Sequence, residues 1–129
     1  MINEITTSTE YVELTVEKTV LSFMVGRILV DLVAGACRSR QTNKVLVYTQ
    51  QVVNSGDVKD TLRLCSYLIG RLTGTKIALV YQENRSGDLL DMVEADVQRY
   101  GVDLKFFQDK QAAILWLYFL DTSPSFGNN

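Results

Sequence analysis

The chain contains no histidine, and this absence excludes several kinds of catalytic and metal site at once. Without an imidazole there is no Ser-His or Cys-His nucleophile pair and no histidine-bound metal. Neither the Gly-x-x-x-x-Gly-Lys loop nor the Gly-x-Gly-x-x-Gly loop occurs, so nucleotide phosphates lack their usual binding loop. We therefore expect no metal ion and no cofactor.

Cysteine is scarce as well, with Cys37 and Cys65 as the only two. Both lie inside apolar patterns of helical period, and their spacing suits no metal site. We predict buried free thiols in a reducing cytoplasm, with a disulfide as the alternative. A nucleophilic role for Cys65 would require a cationic neighbour to lower its pKa, and its place on an apolar stripe argues against one.

Positive charge is not in excess, since the net charge is −2 at pH 7. Nucleic-acid binding requires a basic surface, so we expect no nucleic-acid partner. The first residues, Met1 to Ile5, carry an acid and no basic run, which predicts a cytoplasmic protein without a signal peptide. Residues 20–37 are nearly all apolar or small, but Arg27 and Asp31 near their middle oppose membrane insertion and can pair at i,i+4. We predict a mostly buried helix there, with a membrane span as the alternative.

Length and periodicity predict a single α/β domain. At 129 residues, with 47% hydrophobic and 22% charged residues, the chain is long enough to bury a core. Strands are predicted at about 2–7, 11–16, 44–49, 76–81 and 102–107, and helices at about 19–38, 58–72, 87–100 and 109–120. The order β-β-α-β-α-β-α-β-α predicts a mixed, mainly parallel sheet of about five strands with about four helices on its faces. We assign residues 1–120 to this domain and expect 121–129 to form a polar, flexible tail.

The last third of the chain carries the pattern Phe-x-Asp-x-x-x-Ala-x-x-Trp-Leu, formed by Phe107, Asp109, Ala113, Trp116 and Leu117. With the strand, loop, helix and strand before it, this ending resembles small bacterial STAS-like proteins, which are related in fold to anti-sigma-factor antagonists and to the lipid-binding Sec14 domain. The resemblance covers about residues 11–117 and implies a regulatory or binding module rather than an enzyme. The five residues themselves are explained as a helix cap and core side chains.

Antagonist-type members of that family carry a serine at the start of the helix after a central strand, and its phosphorylation switches partner binding. Ser55 holds the corresponding position here, between Asn54 and Gly56. The motif departs from the usual Asp-Ser-Ser-Gly, because only one serine precedes the glycine and an asparagine precedes that serine. The resemblance implies phosphorylation of Ser55, with simple capping of the helix by its side chain as the alternative.

Two similar polar loops follow the third and fourth predicted strands. Ligands of open α/β sheets bind beyond the carboxyl ends of parallel strands, and each loop brings a hydroxyl residue, a glycine and a helix N-terminus that favours anions. The predicted ligand or partner residues are Asn54, Ser55, Gly56, Asn84, Arg85, Ser86 and Gly87. Ordinary turns and caps are the alternative, since Asp57 and Asp88 already supply negative charge at both loops.

The first long helix is apolar over more of its surface than one buried side requires. Its outer side, with Phe23, Ile28 and Leu32, is a candidate for self-association. The favoured function is a non-catalytic, STAS-like regulatory module that contacts a protein partner or itself. The alternative is a Sec14-like binder of a lipid or of a small apolar or anionic ligand. A third is an enzyme that uses Ser55 or Ser86 with Asp or Lys partners. An enclosed cavity would favour the ligand binder, and a flat apolar patch would favour a partner.

Overall fold

The computed structural model of the chain describes residues 2–7, 11–54, 58–82 and 87–119, with side chains for 11–52, 58–82 and 90–118. The predicted tail at 121–129 lies outside these residues. The strands are β1 (Ile2–Thr7), β2 (Val12–Leu21), β3 (Lys44–Asn54), β4 (Lys76–Val80) and β5 (Asp103–Phe107). The helices are α1 (Phe23–Arg40), α2 (Val58–Leu72), α3 (Gly87–Arg99) and α4 (Lys110–Phe119).

One sheet contains these strands in the order β1-β2-β3-β4-β5. Strands β2 to β5 run parallel and each is followed by a helix, whereas β1 pairs antiparallel with β2. The predicted mixed α/β architecture is confirmed for four parallel strands and four helices. Four strands, fewer than the predicted total of about five, form the parallel part of the sheet. The first strand turns back on the second and pairs with it in the antiparallel direction. Helices α1, α2 and α3 lie on one face of the sheet, as expected when successive parallel strands are joined by crossovers of the same hand.

The boundary between β2 and α1 differs from the predicted one. The sequence predicted a helix from residue 19, whereas β2 continues through Leu21 and α1 begins at Phe23. Thr19 and Val20 are β-branched and favour a strand. Ser22 then caps the helix, since its Oγ accepts a hydrogen bond from an amide of the first turn at 3.2 Å. The helix therefore begins where a cap is available.

Strand β3 also extends beyond its predicted end, to Asn54, and pairs with the added part of β2. Lys18 and Gln51 lie at the same level of the two strands, and both adopt left-handed backbone with a φ of 55° and 55°, respectively. Each such residue shifts the alternation of side chains by one position, so Val52 faces the same side as Thr49. Leu21 of β2 and Val52 of β3 thus face the same side of the sheet.

Each face of the sheet carries its own hydrophobic core. On one face, α1, α2 and α3 pack against the sheet, and the buried side chains are Leu14, Val16, Val30, Val33, Ala34, Val45, Cys65, Leu72, Ile77, Val97, Val102 and Leu104. On the other face, α4 packs against β3 and β4, and the buried side chains are Leu46, Ala78, Val80, Ala113, Trp116 and Leu117. The described chain is therefore a three-layer α/β/α arrangement with three helices on one side and one on the other.

The structure confirms the predicted roles in α4. Both carboxylate oxygens of Asp109 accept hydrogen bonds from amides of the first helical turn, at 3.4 and 3.3 Å. Ala113 and Leu117 are fully buried, and Trp116 is 8% exposed. The Trp116 ring packs on Phe107 with 5.7 Å between the ring centres. The specific ending of the sequence is thus a helix cap and a core.

Helix α1 buries only one side, through Gly26, Val30, Val33 and Ala34. The prediction that α1 is mostly buried is wrong. Among the described residues, α2 is the one helix that packs beside α1, so the opposite side of α1 is not covered by a helix. Its remaining surface carries large apolar side chains. Within the described part of the chain, no helix combines the length and hydropathy that crossing a membrane requires.

Candidate ligand cavity

A partly enclosed cavity of about 230 Å³ lies between the sheet and the layer formed by α1, α2 and α3. Side chains of β2 to β5 form one wall, and side chains of the three helices form the other. Protein interiors are close-packed, and voids larger than a water molecule are few. A space of this size within a core is therefore a candidate binding site.

Nearly the whole lining is apolar. The sheet contributes Leu14, Val16, Val45, Val47, Ile77, Leu79, Leu104 and Phe106. The helices contribute Phe23, Gly26, Leu29, Val30, Val33, Leu64, Cys65, Leu68, Leu72, Leu90 and Val93. The apolar part of this lining offers a water molecule no hydrogen-bond partners. The space suits an apolar molecule.

The polar side chains of the lining lie together at the carboxyl ends of the strands. Ser22 caps α1, Thr49 lies in β3, Asp60 and Thr61 belong to the first turn of α2, and Tyr81 directly follows β4. We call these five residues the polar end of the cavity. It lies at the edge of the sheet where ligands of open α/β folds bind.

Close packing of α1 on α2 forms the outer wall of the cavity. A Cβ atom on Gly26 would lie 2.5 Å from a methyl carbon of Leu64, so the absence of a side chain at this position lets Leu64 pack against α1. Nearby, the Phe23 and Tyr67 rings form a T-shaped pair with 6.3 Å between their centres. The Arg63 guanidinium lies 4.1 Å above the Phe23 ring. These contacts hold the two helices together beside the apolar space.

Charged side chains continue this contact on the surface. The Asp31 carboxylate accepts hydrogen bonds from the Tyr67 hydroxyl at 2.7 Å and from the Arg71 guanidinium at 3.1 Å. The Arg27 guanidinium lies 5.4 Å from the centre of the Tyr67 ring. Arg27 and Asp31, which the spacing predicted as a pair within α1, thus both contact α2. Because the Arg71–Asp31 pair is about half exposed, its contribution to stability is small.

The loop residues predicted to bind a ligand are only partly described. Asn54 is the last residue of β3 and Gly87 is the first of α3, so their backbones lie at the edges of the two loops. Outside the described residues lie Ser55, Gly56, Asn84, Arg85 and Ser86. The anion site, the phosphorylation of Ser55 and the serine-based enzyme therefore stay predictions.

The three residues predicted to mediate self-association occupy two different environments. Phe23 lines the cavity. Ile28 and Leu32 are 42% and 37% exposed, on the same side of α1 as Met24, which is 64% exposed. Spacing by four residues places these three in one row along the helix. We call Met24, Ile28 and Leu32 the α1 stripe.

Both cysteines are free, Cys65 buried and Cys37 partly exposed. The prediction of buried free thiols is confirmed fully for Cys65 only. Burial raises the pKa of both thiols, and the Asp96 carboxylate raises the pKa of Cys65 further. A raised pKa leaves little thiolate at neutral pH, so neither environment suits a nucleophile.

The sequence did not predict the cavity. Its lining residues on α2, such as Leu64, Leu68 and Leu72, have the spacing of ordinary core positions. Periodicity shows which side of a helix faces the sheet, but it does not show whether the two layers fill the space between them. Gly26 indicated a close approach of a neighbouring element to α1, but it did not indicate a space behind that contact.

Comparisons with known protein families, with curated proteins and with solved structures found no significant match to this chain.

Proposed function

We propose that the protein binds a small apolar ligand in the cavity between its sheet and the α1–α3 layer. One observation carries the proposal, namely an apolar space of about 230 Å³ inside the domain. A cavity of about 150 Å³ holds benzene, so this one has room for about nine carbon atoms. This is the alternative that the Sec14-like resemblance suggested, limited to a small ligand.

The physical reason for binding is the loss of contacts around an empty apolar space. Side chains such as Val47, Leu68 and Leu79 face it, and each forfeits dispersion contacts when no atoms lie opposite. An apolar ligand restores these contacts and removes its own surface from water, which contributes about 25 cal/mol per Å². Binding therefore requires no charged group and no metal ion.

Ligand binding is testable through stability, because a ligand that binds only the folded protein stabilises it. We expect propylbenzene, a hydrocarbon of suitable size, to raise the free energy of unfolding in urea. At ten times its dissociation constant the increase is about 1.4 kcal/mol. An unchanged unfolding midpoint up to the solubility limit of propylbenzene would argue against the proposal.

The α1 stripe supports a second candidate function, self-association of a non-catalytic, STAS-like cytoplasmic module. Met24, Ile28 and Leu32 form a continuous exposed apolar row on one helix, and such rows often mark protein interfaces. Two copies that pack these rows together would remove both from water. The same surface would serve a different protein partner.

We expect Ile28→Glu to shift the protein towards a monomer in sedimentation velocity experiments at tens of micromolar. The substitution places a carboxylate at the centre of the α1 stripe, where pairing would bury it without a partner. Leu115→Glu is the matched control, because Leu115 is 54% exposed on α4, on the opposite side of the sheet. A wild-type protein that is already monomeric under these conditions contradicts self-association.

A further inference from the structure

We propose that Glu94 and Gln98 of α3 close the outer edge of β5 against pairing with the same strand of a second copy of the chain. β5 is the last strand of the described sheet, with β4 on its inner side. An open edge strand offers unpaired backbone groups, and strands of other molecules pair with them. The outward backbone groups of β5 are instead bonded within the chain.

Leu104 and Phe106 are the residues of β5 whose backbone groups face outward. The Asp103 amide and the Phe107 carbonyl form hydrogen bonds with the residues directly before and after β4, so these two residues face β4. The backbone groups of successive residues in a strand point to opposite sides. Those of Leu104 and Phe106 therefore point away from β4, towards the outer edge.

Side chains of α3 take the place of a further strand at this edge. The Phe106 amide donates a hydrogen bond to the Glu94 carboxylate at 2.8 Å, and the Leu104 carbonyl accepts one from the Gln98 side-chain amide at 3.1 Å. The Leu104 amide donates to the Val102 carbonyl at 3.1 Å. Glu94 thus supplies an acceptor and Gln98 a donor, the two kinds of group that an added strand would bring. Their i,i+4 spacing places both on one face of α3.

Two further features of β5 oppose strand pairing. The strand is five residues long, and Lys105 at its centre is exposed. Short edge strands and lysines on the edge both discourage edge-to-edge association. If two copies paired their β5 strands antiparallel, with Leu104 of one opposite Phe106 of the other, the two Lys105 side chains would lie opposite each other and repel. The contacts of α3 and the sequence of β5 therefore act in the same direction.

The test combines amide hydrogen exchange at Phe106, measured by NMR, with sedimentation velocity. All proteins carry Ile28→Glu, so that the α1 stripe does not contribute to association. We expect the parent to be a monomer with a protected Phe106 amide at every concentration. In Glu94→Ala/Gln98→Ala this amide should exchange at least about tenfold faster at tens of micromolar, because its acceptor is lost. At hundreds of micromolar we expect dimers in which the amide is protected again.

Two variants serve as controls. Glu94→Gln retains a side-chain oxygen that accepts the hydrogen bond of the Phe106 amide, so it should behave as the parent does and separate the hydrogen bond from the charge. Asp91→Ala removes an exposed carboxylate from α3, one turn before Glu94. This variant should leave both the exchange rate and the sedimentation coefficient unchanged.

Three results would overturn the closed edge. The first is an unprotected Phe106 amide in the parent. The second is a Glu94→Ala/Gln98→Ala protein that stays monomeric at hundreds of micromolar, because the two side chains would then stabilise the strand without guarding it. The third is association of Glu94→Gln or Asp91→Ala to the same extent. If the double variant does not fold, the two single alanine variants are measured, and folded single variants that both stay monomeric contradict the proposal as well.

Discussion

Replacing Trp116 with alanine is expected to lower the free energy of unfolding by about 3–5 kcal/mol, the range for deleting a buried tryptophan. The Trp116 side chain is 8% exposed and packs on the Phe107 ring. The Lys76 ammonium lies 4.5 Å from the centre of the Trp116 ring and donates a hydrogen bond to the Trp116 backbone carbonyl at 2.8 Å. The substitution would leave the buried Lys76 beside a void in the core between α4 and the sheet.

Equilibrium urea denaturation measures this loss. The matched control is Leu115→Ala in the neighbouring position of α4, where the side chain is 54% exposed. We expect the control to change stability by no more than about 0.5 kcal/mol, as is usual for surface substitutions. A Trp116→Ala protein that loses less than about 1 kcal/mol would show that α4 does not pack on the sheet as described.

Leu68→Trp is expected to abolish stabilisation by propylbenzene. Leu68 lies on α2 with its side chain against the cavity, and the larger indole ring would occupy the space that the ligand needs. In a fully packed core such an enlargement costs about 1–3 kcal/mol through strain. Here the added atoms enter empty space, so we expect the stability of the unliganded variant to be equal to or greater than that of the wild type.

Leu115→Trp is the matched control for Leu68→Trp. It adds the same atoms on α4, on the opposite side of the sheet from the cavity. This variant should respond to propylbenzene as the wild type does. Strong destabilisation by Leu68→Trp would mean that the space is filled. If the Leu68→Trp protein still binds propylbenzene, the ligand lies outside this cavity.

The order of helices and strands was predictable because each element carries its own periodicity and punctuation. In α4, Asp109 and the spacing of Ala113, Trp116 and Leu117 specify both a cap and a buried side. The start of α1 was not predictable in the same way. Residues 19–21 fit either a strand or an apolar helix, and pairing with the end of β3 decided for the strand.

The site was less predictable than the fold. Topology predicted a ligand site in the two loops at the carboxyl ends of the strands, and that prediction stays untested. Ser22, Asp60 and Tyr81, which line the cavity near these strand ends, were not among the predicted residues. The volume behind them depends on how far the helices stand from the sheet, which is a property of tertiary packing. Phe23 illustrates the difficulty. Its position in the sequence of α1 fits either the side of the helix that faces the sheet or the outer side, and the contact with Tyr67 of α2 determines its orientation.

Methyl-detected NMR of the wild-type protein titrated with propylbenzene tests ligand binding in the cavity most directly. We expect saturable shifts at one equivalent, concentrated at the methyl groups of Leu14, Val47, Leu68 and Leu79, which line the cavity. The methyl groups of Ile28 and Leu32 on the outside of α1 should not shift. Shifts confined to those two outer residues, or no saturable shift at all, would contradict a ligand site between the sheet and its helices.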